Sequence, residues 1–147
     1  WLGYKFGDMA FTVPDSYEPR ETRFWVDESG QKWRSMGNIC WYTNIDIQKR
    51  HEDLILYRNY SENDYQKYDN YDAINVDKVS EIPIDYAGIM GVPITFMDKY
   101  NPEQFQIVGL IAGNIKGLAG ITSSTGKDGP YIGGKLKFGR ILIRKRG

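Results

Sequence analysis

Soft metal ligands are nearly absent from this sequence: its 147 residues include one histidine, His51, and one cysteine, Cys40. A single thiol excludes an intrachain disulfide framework, which suits a reducing cytosol. One Cys and one His fall short of the ligand set of a structural zinc site, so no metal centre is expected. His51 stands in the polar run QKRHED, and no Ser/His/Asp order for nucleophilic catalysis accompanies it. Cys40 lies within the apolar run Ile39–Tyr42, where a buried inert thiol is expected. No apolar stretch approaches the roughly 20 residues that cross a bilayer, and no signal peptide is visible. Net charge is missing too, because 19 Lys and Arg balance 19 Asp and Glu. The total therefore argues neither for nor against a polyanionic partner. The first residue is Trp1 rather than Met, so the chain is expected to be a portion of something longer.

The distribution of charge says more than its sum. Glu62–Asp85 holds seven acidic side chains against Lys67 and Lys78, whereas Tyr131–Gly147 holds six basic ones and no acid. Such polarity suits a protein with one face on a polyanion. By length the chain makes one domain with a modest core. Aromatic and β-branched residues make residues 1–47 read as strands: Trp1–Phe6, Met9–Val13, Arg23–Asp27, Lys32–Met36 and Asn38–Ile45. Glu28-Ser29-Gly30 predicts a turn that folds Arg23–Met36 into a hairpin. The apolar run Leu54–Tyr57 is too short to separate strand from helix by periodicity, and is taken as a strand after a loop. Ser61 with Asp64 suits the cap of one helical turn. Lys67–Ile82, rich in Tyr, Asp and Asn, favours turns and local side-chain caps. The six glycines of Lys116–Gly134 predict a mobile loop or loose hairpin.

The stretch Tyr86–Leu110, YAGIMGVPITFMDKYNPEQFQIVGL, organises the rest. Val92, Ile94 and Phe96 alternate with Pro93, Thr95 and Met97, which predicts a strand that starts at Pro93 or lies at an edge. Asn101, Pro102 and Gln104 have the spacing of a helix N-cap, first position and capping-box partner, so a helix is expected up to about Gly109. In Lys135–Arg146 the apolar Leu136 and Phe138 differ in parity from Ile141 and Ile143. A bulge at Gly139 would put all four on the core face and Lys135, Lys137, Arg140 and Arg144 outside.

The string YDNYDAINVDKVSEIPIDYAGIMGVPITFMDKYNPEQFQIVGL resembles the C-terminal part of the EcoRI-type adenine-specific DNA methyltransferases. WLGYKFG, FTVP and GNICWYTNID upstream and GRILIR at the end agree in order, so the likeness covers nearly the whole chain. It implies an enzyme of a restriction-modification system that moves a methyl group from S-adenosylmethionine to N6 of adenine in double-stranded DNA, in a prokaryotic cytoplasm. The implied fold is α+β and strand-rich. Residues 1–47 would be the last strands of a Rossmann-like catalytic sheet, and residues 48–147 a mixed α/β target-recognition region. The catalytic loop would precede this segment, in a missing N-terminal catalytic part. Strands without their neighbours leave an edge and an apolar face, so the chain is expected to self-associate.

The two motifs of the chemistry itself are not in the chain. Phe6-Gly7-Asp8 lacks the second glycine of an FxGxG cofactor turn, and Asn101-Pro102-Glu103-Gln104-Phe105 is one residue too long for an [N/D]PP[F/Y] loop and lacks its second proline. Gly120–Lys127 likewise has one residue too many for a phosphate-binding P-loop, and Asp128 replaces its hydroxyl. No catalytic, cofactor-binding or metal residue is therefore assigned, and the chain alone is expected to be inactive and to bind no cofactor.

Recognition chemistry remains. Trp41 or Tyr42, in GNICWYTN, occupies the place where such enzymes set an aromatic against a flipped adenine, and strand alternation allows at most one of them to do so. Asn70, Asn75, Lys99 and Asn101 are candidates for base contacts. Lys49, Arg50, Arg140 and Arg144, with Lys135 and Lys137, are candidates for phosphate contacts. Two other readings stay open: a stand-alone DNA-binding module, and a non-catalytic interaction or assembly domain.

Overall fold

Alternating aromatic and β-branched residues, punctuated by turns, build nine strands among the residues that the computed structural model describes. These are residues 2–18 and 23–147, with side chains described for 10–18, 23–35 and 44–147. The chain divides into two compact units, Trp1–Asn44 and Ile45–Gly147.

The first unit is an antiparallel sheet of β1 (Leu2–Thr12), β2 (Phe24–Val26) and β3 (Lys32–Thr43), with β3 in the centre. The expected hairpin is present. Trp25 pairs with Trp33 across it, and their rings stack at 6.3 Å. Asp27 closes its turn by accepting from the amides of Ser29 (2.9 Å) and Gln31 (3.0 Å), while Gly30 adopts φ +85°. Trp33 Nε1 donates to the other oxygen of Asp27 at 2.9 Å. The Ser29 hydroxyl also donates to Asp27 Oδ1 at 2.6 Å, and this bond and then the one from Trp33 lead in holding the Asp27 carboxyl below its ordinary pKa. Two pairs of expected strands are merged here. Gly7 and Gly37 do not break them, because register shifts between Lys5 and Gly7 and between Asp8 and Ala10 let β1 and β3 run on past both. Trp1 lies outside the described residues.

The second unit is built on a four-stranded sheet in the order β4 (Ala73–Asn75), β5 (Ile89–Val92), β9 (Arg140–Lys145), β6 (Phe105–Ile111). β4 and β5 are parallel, and β9 is antiparallel to both its neighbours. The last strand in sequence is thus central in space. Both faces of the sheet are covered. Ile141 and Ile143 join Ile74, Met90, Val92, Phe96 and Phe105 on one side, and Leu142 joins Tyr68, Tyr71, Ala73, Ile89 and Ile111 on the other. A strand buried on both faces reads as a continuous apolar run rather than an alternation.

That burial overturns the expected bulge at Gly139. Ile141, Leu142 and Ile143 are all buried, whereas Leu136 and Phe138 are 50% and 86% exposed. Leu136 belongs to a separate small hairpin, β7 (Tyr131–Ile132) with β8 (Lys135–Leu136), and residues 137–139 carry the chain from it into β9. The irregularity lies in the partner strand. β6 holds one extra residue between Ile107 and Gly109, opposite Ile143 and Leu142.

The expected helix after Asn101 is also replaced by a strand. Asn101 does start a turn: its Oδ1 accepts from Glu103 N (2.8 Å) and its carbonyl from Phe105 N (3.0 Å). The following QIVGLI then pairs with β9, because strand pairing to a buried neighbour outweighs a local capping signal. Pro93 follows β5 instead of opening a strand, and Ile94–Lys99 is a 3-10 helix. Leu54–Tyr57 forms no regular element and belongs to no sheet. The Gln104 side chain takes the place of a neighbouring strand there, accepting from Leu54 N (2.7 Å) and donating to Leu54 O (2.8 Å). Leu54 and Leu56 consequently pack on the core, while Ile55 and Tyr57 point outward. Within the turn-rich Lys67–Ile82 the structure adds β4, whose Ala73 and Ile74 are fully buried.

Candidate nucleic-acid interface

Two of the predicted asparagines are used within the fold. Asn70, 1% exposed, donates from Nδ2 to Lys127 O (2.8 Å) and Gly129 O (2.7 Å) and accepts from Tyr131 N (3.3 Å). Asp69 accepts from Gly133 N and Gly134 N, and Tyr71 donates to Asp128 O. The glycine-rich segment is therefore tied to residues 69–71 instead of being loose. Asn101, fully buried, donates to Asp53 Oδ1 at 2.9 Å. Neither amide has a free edge for a base, so Asn70 and Asn101 are corrected from base readers to structural caps. Arg50 is buried as well, on the 3-10 turn Gln48–His51, and is not an exposed phosphate contact.

Asn75 and Arg140 meet in one network. Tyr68 donates to Asn75 Oδ1 (2.9 Å), Arg140 Nε donates to the same oxygen (3.2 Å), and the Arg140 guanidinium lies 3.7 Å from Asp77. Burial pushes the Tyr68 hydroxyl far above its ordinary pKa, so it remains a donor. Asp77 in turn accepts from Asn75 Nδ2 at 2.7 Å. Arg140 and Arg144 share a face of β9 with Leu142 between them, and about 13 Å of strand separates them at roughly 3.3 Å per residue. Arg144 is exposed, whereas the Arg140 side chain is 12% exposed. Lys135 and Lys137 do not continue this row, since the chain leaves the sheet before β9.

The structure does bring Lys49 and Lys99 together. They line a cleft of about 350 Å³ with Glu52, Asp53, Leu54, Ile55, Tyr57 and Ser80. Ser80 and Lys99 also border an adjoining hollow of about 420 Å³ that adds Lys78, Thr95 and Asp98. Nearby, His51 Nε2 lies 2.7 Å from Asp46 and Nδ1 3.7 Å from Glu103, contacts that raise its pKa above the ordinary 6.5. Ile55 and Tyr57, at 81% and 67% exposed, were not legible as surface groups from sequence, though their position opposite Leu54 and Leu56 in an alternating run is the signal.

The side chains of Trp41 and Tyr42 lie outside the described residues. Their backbone is in β3, paired with Tyr4 and Gly3. Among the described residues, the glycine that came nearest to a cofactor turn in the sequence lies inside a strand. Gly7 and Asp8 lie within β1, paired with Ile39 and Asn38, rather than at a strand end. Among the described residues no cluster of His, Cys, Asp or Glu could hold a metal, and no helix is long and apolar enough to cross a membrane.

This strand-rich chain is matched from residue 1 to residue 146 by the family profile "Adenine-specific methyltransferase EcoRI", and it belongs to that family. It is 45% identical over 150 residues to the Type II methyltransferase M.EcoRI of Escherichia coli, which takes in 99% of this chain and 43% of that protein. Type II methyltransferases M.MgeORF184P of Mycoplasma genitalium and M.MpnI of Mycoplasma pneumoniae are each 34% identical, with 99% of this chain and 49% of theirs aligned. The chain spans about half the length of the curated relatives it matches. No solved structure matches it.

Proposed function

We propose that this chain is the C-terminal part of a site-specific adenine-N6 DNA methyltransferase of a restriction-modification system, acting in a prokaryotic cytoplasm. The observation that carries the proposal is the whole-chain match to a methyltransferase family by a segment that lacks both the cofactor turn and the catalytic loop. Those motifs, and S-adenosylmethionine, then belong to the remainder of the enzyme. β1 and β3 complete its Rossmann-like sheet, with Trp41 or Tyr42 as the aromatic that stacks on the extruded adenine. Residues 48–147 hold the DNA duplex. Lys49 in its cleft, with Lys135, Lys137 and Arg144, contacts phosphates, Lys99 reads a base edge, and Asn75 and Arg140 are joined in one network.

The test compares the full-length enzyme with the 147-residue chain, using S-adenosylmethionine labelled in its methyl group and duplex DNA. Transfer to adenine N6 by the full-length protein, and neither transfer nor calorimetric cofactor binding by the short chain, is the expected result. Micromolar cofactor binding by the short chain would overturn this division of labour.

A further inference from the structure

Phe138 is the most exposed large apolar side chain among those described, at 86%, although its sequence context reads as core. Its backbone is anchored on both sides. Lys137 N donates to Pro130 O at 2.8 Å, and the Leu136 side chain sits over Gly113 and Gly129, where an added Cβ would fall 2.7 and 2.4 Å from it. Gly139 abuts Ala112 less tightly, 3.2 Å for an added Cβ. The arch of residues 136–139 thus displays one aromatic ring on a braced support. Lys135 and Lys137 precede it, both exposed, and no acidic residue occurs from Tyr131 to Gly147. An exposed ring preceded by two exposed cations, with only the half-exposed Leu136 beside it, is poorly matched to a hydrophobic protein core, which needs a continuous apolar patch. It is well matched to a nucleic acid, whose phosphates meet the cations and whose base stack accepts an apolar wedge.

We infer that Phe138 is an intercalating wedge that enters a base step of the bound duplex, with Lys135 and Lys137 on nearby phosphates. The inference rests on the DNA-binding role proposed above. Insertion would unstack one step and bend the duplex, the cost being offset by ring–base stacking and by the surface the bend brings into contact.

The experiment uses the full-length protein and a 30-base-pair duplex carrying a fluorophore at each end. Affinity across a salt series and end-to-end energy transfer are read for wild type, Phe138→Ala, Phe138→Trp and Lys135→Ala/Lys137→Ala. Phe138→Ala is expected to weaken binding on the order of 5- to 100-fold, the range of one lost stacking contact, and to abolish the change in energy transfer. Its salt slope should match wild type, because no phosphate contact is lost. Phe138→Trp should retain both signals, and the double lysine variant should flatten the slope. Wild-type binding and bending left unchanged by Phe138→Ala would overturn the wedge while leaving the DNA-binding role intact. A lowered thermal midpoint in Phe138→Ala, with unaltered DNA response, would show that protein covers the ring, and would overturn it equally. Absence of duplex binding by the wild type would instead remove the role on which the wedge depends.

Discussion

His51 and Gly91 show how much single residues decide. His51 gains stability from its charged form, chiefly through the hydrogen bond to Asp46 and then its charge. A histidine whose folded pKa is raised contributes fully below the unfolded value and loses that contribution as pH rises through the folded one. The nuclear magnetic resonance titration of its ring should therefore have a midpoint above 6.5, and Asp46→Asn should lower it. A midpoint unmoved by that change would show the contact to be idle in solution. Gly91 carries the Tyr68 ring against the sheet, and an added Cβ would lie 2.1 Å from the Tyr68 oxygen and 2.8 Å from its ring. Tyr68 cannot easily yield, since it is buried and bonded to Asn75. Gly91→Ala should cost about 1–3 kcal/mol, the usual penalty of overpacking, measured by urea unfolding. Gly91→Ala with Tyr68→Phe should recover little of it, because the ring atoms clash as well.

Among the elements, the glycine-rich segment depends on a neighbour distant in sequence. Asn70 joins residues 127, 129 and 131 through one buried amide. Asn70→Ala leaves two carbonyls and an N–H without that partner, so a loss of about 1–3 kcal/mol is expected. Hydrogen exchange should localise the loosening to residues 116–134, and uniform protection of that segment in the variant would count against its tether. The composition of this segment announced a loop, and the structure contains one. The tether was not legible, because an asparagine that caps a remote loop looks in sequence like one that caps its own turn. The same ambiguity misled the reading of Asn101, whose single turn is real but leads into a strand. Gln104 is a related case: its spacing fits a capping box, and its amide instead serves as one rung of a sheet for Leu54.

For the whole molecule the testable property is its electrostatic footprint. Arg144 is exposed and Arg140 is held by Asn75 and Asp77, so the two should separate on mutation. In the full-length enzyme Arg144→Ala should weaken binding to all duplexes alike and flatten the salt slope by roughly 0.9, one phosphate contact. Arg140→Ala should mainly lower the thermal midpoint, by releasing the network around Asn75. Loss of sequence discrimination without loss of general affinity in Arg144→Ala would mean that Arg144 reads bases.

The sequence by itself determined what is local or held in long matching strings. The Asp27–Gln31 turn and its hairpin follow from Glu28-Ser29-Gly30, the absence of the two catalytic motifs is a matter of spelling, and the family is carried by runs that keep their order. Tertiary structure alone decided which apolar residues are inside. β9 is central because β5 and β6 reach it from far along the chain, and a strand covered on both sides has no parity to read. For the same reason Phe138, which parity counting placed inside, stands on the surface, and Ile107 to Leu110 became strand. A helix signal carried by Asn101, Pro102 and Gln104 was outweighed by a partner strand that comes more than thirty residues later, since burial and pairing act over distances that local propensity cannot sense.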